Sequence, residues 1–388
     1  MREGLTRAIL GAQSRRRECR TRDRPENDTT AGLLGPRPAA LVWDKATAPV
    51  PEVNGYPHTW GVDRDSFGPG PTGSEPPAPQ NPSTSAAGAS PLPRDPGEAT
   101  RDDGGAPLGH LGQAVEIVAA GRGAVAPGED VRAHRSYWDA AAADYQATNG
   151  SFLGSGTPRF VWGPEGLDEG DLHLLGPREA LAGKRVLEVG CGAAQCGRWL
   201  AAAGADVVGI DISLEQLRLA GPVTGGRLTL AQADAGGLPL ADASVDLACS
   251  AFGAVPFVLD SAAVMREVAR VLRPGGHWVF SVAHPFRWVF PDDAAAATLT
   301  VFQTYFDRTP YLETGADGRP AYVEPHRTLG DRVREIVAAG LVLEDLVEPE
   351  WPARQRRTWG QWSPERGALL PGTAIFVCSR PTAGGAGS

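Results

Sequence analysis

From Val131 onward, apolar positions fall into short blocks whose spacing switches between helical and extended. Tyr137, Trp138, Ala141 and Tyr145 recur at helical spacing, which predicts an amphipathic helix there. Further along, short β-branched runs alternate with helical patterns. Arg185–Val189 reads as a strand, Gln195–Ala203 as a helix, Asp206–Ile210 as a strand and Leu214–Ala220 as a helix. Strands follow at Arg227–Ala231 and Val245–Ser250. Ser261 is the expected N-cap of a helix over Ala262–Leu272, and Arg273-Pro-Gly-Gly276 turns the chain into a fifth strand, His277–Val282. A helix over Thr328–Ala339 stops at Gly340, before strands at Leu341–Val347 and Thr373–Ser379. Repeated strand–helix units predict an α/β fold, a doubly wound and mostly parallel sheet with helices on both faces.

The first third lacks this pattern. Of the 34 prolines, 17 precede residue 131, and residues 66–107 are mainly Pro, Gly, Ser and Ala. Such a segment buries too little apolar surface to offset its ordering entropy. Residues 1–130 are therefore expected to be a mostly disordered extension, either dispensable or the product of a misplaced start, ahead of a domain over 131–380 and a disordered tail over 381–388. The arginines between Arg15 and Arg24 are interrupted by acids, unlike a transit peptide.

Net charge is −9, and both parts of the chain are acidic. That argues against a broad nucleic-acid footprint, which needs clustered positive charge. The five cysteines form neither a disulfide framework nor a zinc-ligand spacing. No apolar run nears the roughly 18 residues of a membrane helix. A reducing, cytoplasmic setting without metal or membrane is expected.

Candidate chemistry begins at Val186-Leu-Glu-Val-Gly-Cys-Gly-Ala-Ala194, where a strand meets a helix. Doubly wound sheets bind nucleotides at that junction. Gly190 and Gly192 permit close backbone approach. Asp211, 21 residues past Gly190, ends the second strand, where a carboxylate accepts from ribose hydroxyls. A dinucleotide and S-adenosylmethionine both suit these features. Gln195 replaces the third dinucleotide glycine, and Glu188 would face a pyrophosphate with like charge. A carboxylate instead attracts the ammonium and sulfonium of S-adenosylmethionine. Gln232-Ala-Asp-Ala235 adds an acceptor and a backbone donor suited to an adenine edge.

With these elements in order, residues 131–380 resemble the class I S-adenosylmethionine-dependent methyltransferases, and more narrowly the small-molecule enzymes related to quinone biosynthesis. The resemblance implies a Rossmann-like sheet of seven strands with a cap inserted after strand five. It also implies S-adenosylmethionine as cofactor. Glu188, Gly190, Cys191 and Gly192 would lie around its methionine part, Asp211 on the ribose, Ile212 and Gln216 nearby, and Asp234 and Ala235 on the adenine. Ser250 would lie near the transferable methyl. The helix of Tyr137-Trp-Asp and Tyr145 would close over the cofactor. Ala194 departs from the third glycine many members carry.

Methyl transfer chiefly needs alignment and exclusion of water, and no catalytic triad is present. His284, just past the fifth strand, is the candidate base, with a backbone hydrogen bond as its other reading. Arg287 suits a carboxylate on the acceptor or plain surface exposure. About 40 residues after His284, with Tyr305, Phe306, Tyr311, Tyr322 and His326, fit a substrate cap. The Trp351, Arg354, Arg356, Arg357, Trp359 and Trp362 stretch admits base stacking, which the acidic surroundings oppose. The expectation is methylation of a small molecule at oxygen or carbon. A non-catalytic S-adenosylmethionine-binding sensor or subunit is the other reading, and a nicotinamide oxidoreductase is disfavoured by Glu188 and Gln195.

Overall fold

In the computed structural model the described residues are 116–220 and 226–382. The expectations for residues 1–115 and for 383–388 fall outside them.

The seven-stranded sheet consists of β2 (Arg185–Val189), β3 (Asp206–Asp211), β4 (Leu228–Gln232), β5 (Val245–Ala251), β6 (Leu272–Ala283), β9 (Val342–Val347) and β10 (Thr373–Ser379). Their spatial order is β4-β3-β2-β5-β6-β10-β9. The pairs from β4 to β6 are parallel, and β10 runs antiparallel to both of its neighbours. Strand order reverses between β2 and β5, which opens a crevice beyond their carboxyl ends.

Alternation within each strand feeds two cores. Leu187, Val189, Val208 and Ile210 point to one face, packed with Val264, Met265 and Val268 of α5 (Ser261–Val271) and Ile336 of α6 (Leu329–Ala338). Val186, Val207, Leu247 and Cys249 point to the other, against Trp199 and Leu200 of α3 (Gln195–Ala202), with Phe160 and Trp162. Each fully buried aliphatic side chain contributes roughly 1.5–3 kcal/mol of transfer free energy. Among the described residues, no helix is long and apolar enough to cross a membrane.

The cap after β6 carries a hairpin, β7 (Tyr311–Gly315) and β8 (Pro320–Glu324), and β1 (Ile117–Arg122) joins it antiparallel beside β7. This moves the ordered chain upstream of the expected boundary at residue 131: Ile117–Arg122 gains sheet hydrogen bonds from a partner nearly two hundred residues away, which local composition does not reveal. The long helix α1 (Glu129–Leu153) follows and rests on β8, where Tyr137 and Ala141 pack with Tyr322.

Two local expectations change. Asp260, not Ser261, caps α5 by accepting from the Ala263 N–H at 3.0 Å. Ser261 is buried and its hydroxyl donates to Glu335 at 2.8 Å. The Arg273-Pro-Gly-Gly276 turn is absorbed into β6, with Gly275 at φ 78°. Thr328, expected as the first residue of the helix, instead caps α6 in a reciprocal capping box with Asp331.

Candidate functional site

The chain leaves β2 through a loop that only small residues permit. Gly190 has φ 69° and Gly192 φ 52°. A Cβ on Gly190 would stand 2.3 Å from the Ala254 nitrogen, so the loop packs backbone to backbone on the segment after β5. Ala194 also takes a left-handed φ of 57°, at a cost of roughly 1–2 kcal/mol, and its methyl is fully buried.

Asp211 at the tip of β3 binds this loop to the following turn. Its Oδ2 accepts from the Gly192 N–H and its Oδ1 from the Ser213 N–H, both at 2.8 Å. Burial raises its pKa against those hydrogen bonds. Glu188 lies in register with Gly209 on β3 and Cys249 on β5. Burial, then the charge of Asp211, pushes its carboxyl up to about 8, against hydrogen bonds from the Gly197 backbone and the Cys196 side chain.

A cavity of about 180 Å³ opens over these strand ends. Its floor includes Glu188, Gly190, Cys191, Gly192, Asp211, Ile212, Gln216, Asp234 and Ala235. Its roof is α1, through Asp130, His134, Trp138, Tyr145 and Gln146. An amide ladder joins the two. Gln195 Nε2 donates to Gln146 Oε1 at 2.6 Å, and Gln146 Nε2 donates to Gln216 Oε1 at 3.0 Å. Asp139 adds a second tie, accepting from the Ser213 hydroxyl at 2.7 Å and the Glu215 N–H at 3.1 Å. A ring wall closes one end: Trp138 meets Tyr145 edge-on at 5.5 Å, Tyr145 lies 6.2 Å from Trp359, and Phe252 meets Trp362 at 6.0 Å.

Two expected site residues are elsewhere. Ser250 is fully buried and does not line the cavity. Gly253 folds over it, so closely that a Cβ there would stand 2.7 Å from the Ser250 hydroxyl. His284 is also off the cavity wall. Its ring is buried, its Nε2 pairs with Glu348 at 2.8 Å, and its Nδ1 accepts from the Phe286 N–H at 3.3 Å. With both nitrogens engaged, it stabilises the start of the cap and is not placed to act as a base. Arg287 is neither exposed nor open to an acceptor carboxylate: it forms an ion pair with Glu324 at 2.9 Å, sheltered from solvent. Of the late Trp/Arg stretch, Trp359 and Trp362 turn into the cavity, while Arg357 packs over Phe152 and Trp359 and donates to Asn149 at 2.6 Å.

Residues 187–280 match a family model described as a methyltransferase domain. The ubiquinone/menaquinone biosynthesis C-methyltransferase UbiE of Syntrophotalea carbinolica is 43% identical over 111 residues, which are 27% of this chain and 46% of that protein. The methyltransferase GfsG of Streptomyces halstedii is 33% identical over 196 residues, 46% of this chain and 69% of that protein. This chain belongs to the class I S-adenosylmethionine-dependent methyltransferases. A solved S-adenosylmethionine-dependent methyltransferase from Mesorhizobium loti aligns with 53% of the chain and all of that protein, at 28% identity and a TM-score of 0.39. Apart from GfsG, the chain spans about half the length of the curated relatives it matches.

The cavity of this methyltransferase fits a cationic cofactor. Asp130, Glu188, Asp211 and Asp234 line it, and no Lys or Arg does so among the described residues. The Glu188 carboxyl on the cavity floor suits an ammonium. A pyrophosphate would meet acidic side chains and no cation among the described residues. Sequence reasoning missed the contribution of Gln146 and His134, which have no motif signature, and the bond that Gln195 makes to Gln146. The only signal for Trp359 and Trp362 was their clustering.

Proposed function

We propose that this chain transfers the methyl group of S-adenosylmethionine to an uncharged small-molecule acceptor, at oxygen or carbon. The observation that carries this reading is the division of the cavity: carboxylates at the strand ends and aromatic rings on the opposite wall, with no cation among the described residues to hold an anionic acceptor. Concave sites of this kind take small apolar ligands with a few fixed polar groups. Glu188, Gly190, Cys191 and Gly192 would surround the methionine part, Asp211 the ribose, Ile212 and Gln216 the neighbouring ring faces, and Asp234 with Ala235 the adenine. The Cys191 thiol is pushed well up by burial, so it serves as packing and not as a nucleophile.

The bound cofactor supplies an electrophilic methyl on sulfonium. The chain's part is to align the acceptor with that methyl and to exclude water. The α1 roof, held by the Gln146 ladder, does the second, and Trp138, Tyr145, Phe252 and Trp359 offer surfaces for the first.

The test is S-adenosylhomocysteine release by the full chain, supplied with S-adenosylmethionine and a panel of neutral hydroxylated rings, acidic analogues and amines. Release that depends on a neutral hydroxylated compound is expected. Tight S-adenosylhomocysteine binding with no acceptor-dependent release would instead mean a cofactor-binding protein without transfer.

A further inference from the structure

With His284 tied into the cap, the imidazole on the cavity wall, among the described residues, is that of His134. His134 sits on the inner side of α1, buried and in the cavity wall. Its ring is held 5.5 Å from Phe257 and, edge-on, 5.5 Å from Tyr322. Neither ring nitrogen has a hydrogen-bond partner of normal geometry among the described residues, although the backbone at Val323 and Phe257 lies close by. A buried polar group left this way is costly, and in native proteins it calls for a ligand, a water or a catalytic role.

The other proton-active groups of the wall are spoken for. Asp130 accepts from the Leu259 N–H at 3.1 Å. Burial pushes the Tyr145 hydroxyl and the Cys191 and Cys196 thiols up, so they stay protonated. Glu188, Asp211 and Asp234 stand at the cofactor's strand ends.

We propose that His134 receives the proton that the acceptor's hydroxyl gives up on methylation. The inference rests on the methyl-transfer reading above. In the step, an oxygen lone pair forms the new O–C bond while the S–C bond breaks and its electron pair returns to sulfur. The O–H electron pair stays on oxygen, and the proton passes to a ring nitrogen, giving imidazolium that later loses it to water. Burial holds the imidazole down to about 4, so it is neutral and has a lone pair at neutral pH. The groups packed on it are Asp130 of its own helix, which opposes that shift, and Tyr322 of β8, whose hydroxyl is neutral and donates to Glu324. So weak a base is sufficient because a hydroxyl becomes strongly acidic as its oxygen takes on the methyl.

The experiment compares the full chain with His134→Asn and His134→Gln, using whichever of catechol, naphthol and hydroxynaphthoquinone gives the fastest S-adenosylhomocysteine release. Expected is a fall in kcat of about 100-fold or more in both variants. S-adenosylhomocysteine affinity by calorimetry should stay within about threefold of the parent, which also shows that the variants are folded. The parent's kcat should fall on the acid side near pH 4, and the variants should lack that limb. Unchanged kcat, or a loss of cofactor affinity that accounts for the whole effect, would overturn the assignment. Failure of the parent itself to bind S-adenosylhomocysteine would instead overturn the methyl-transfer reading.

Discussion

The Asp211 carboxylate accepts a hydrogen bond from the Gly192 N–H at 2.8 Å, and so joins the tip of the second core strand to the glycine loop of the first. Its other oxygen fixes the Ser213 turn. Each charge-assisted bond of this type is worth roughly 1.5–3 kcal/mol. Asp211→Ala therefore loosens both loops as well as removing the acceptor for ribose. Calorimetric titration should show S-adenosylhomocysteine affinity falling by about 30-fold or more, the equivalent of about 2 kcal/mol. Affinity at the parent level would mean that the carboxylate faces away from the ligand.

Glu188 makes cofactor binding proton-linked. Its carboxyl, pushed up to about 8 by burial and by Asp211, is protonated at pH 7 without ligand. A cation placed beside it would favour ionisation, so binding should release a proton near pH 7. Titrations in buffers of different ionisation enthalpy should give different apparent enthalpies, and Glu188→Gln should abolish that difference. The same shift acts on folding. A carboxyl whose folded-state pKa lies above its ordinary 4.5 binds more protons in the folded than in the unfolded chain. Its contribution to stability is thus lost as pH rises from about 4.5 to 8. Buried Glu169, pushed up to about 7, acts in the same direction. Thermal denaturation of Glu188→Gln should show a weaker decline over that window.

Gln146 bonds to an amide from each of the two helices following the cofactor strands. Gln146→Leu removes two hydrogen bonds of about 1 kcal/mol each and leaves Gln195 and Gln216 unpaired. Affinity for S-adenosylhomocysteine should fall about fivefold to 30-fold, with faster amide hydrogen exchange along α1. Unaltered exchange there would show that the roof is held without the ladder.

His284→Ala should separate stability from chemistry. The ring is buried and bonded to Glu348 and Phe286, so its loss should cost about 1–3 kcal/mol of folding stability. Cofactor affinity and kcat should be retained at temperatures where the variant is folded. A large fall in kcat in a folded sample would return His284 to the site.

The strands, their alternating faces and the cofactor loop were legible in the chain because their causes are local. A run such as Arg185–Val189 can bury both faces only as an inner strand, and Gly190 must be small wherever the chain turns back on itself at φ 69°. The place of Asp211 and Asp234 at strand ends was legible because the ends of parallel strands converge by topology, so a position in sequence becomes a position in space. The strand at Ile117–Arg122, the cap of α5 and the burial of Ser250 were not found. The first depends on a distant partner, the second on a one-residue difference in geometry, and the third on Gly253 folding across the strand end.

By itself, then, the sequence determined the sheet, the glycine loop and the acidic residues at the strand ends, since each follows from periodicity, backbone sterics or charge within one or two adjacent elements. Only the tertiary structure decided which of two histidines reaches the cavity and which rings make its wall. Those outcomes depend on how α1, the cap and the Trp359–Trp362 turn pack on one another, and such packing is set by contacts between segments far apart in the chain, which no local pattern encodes.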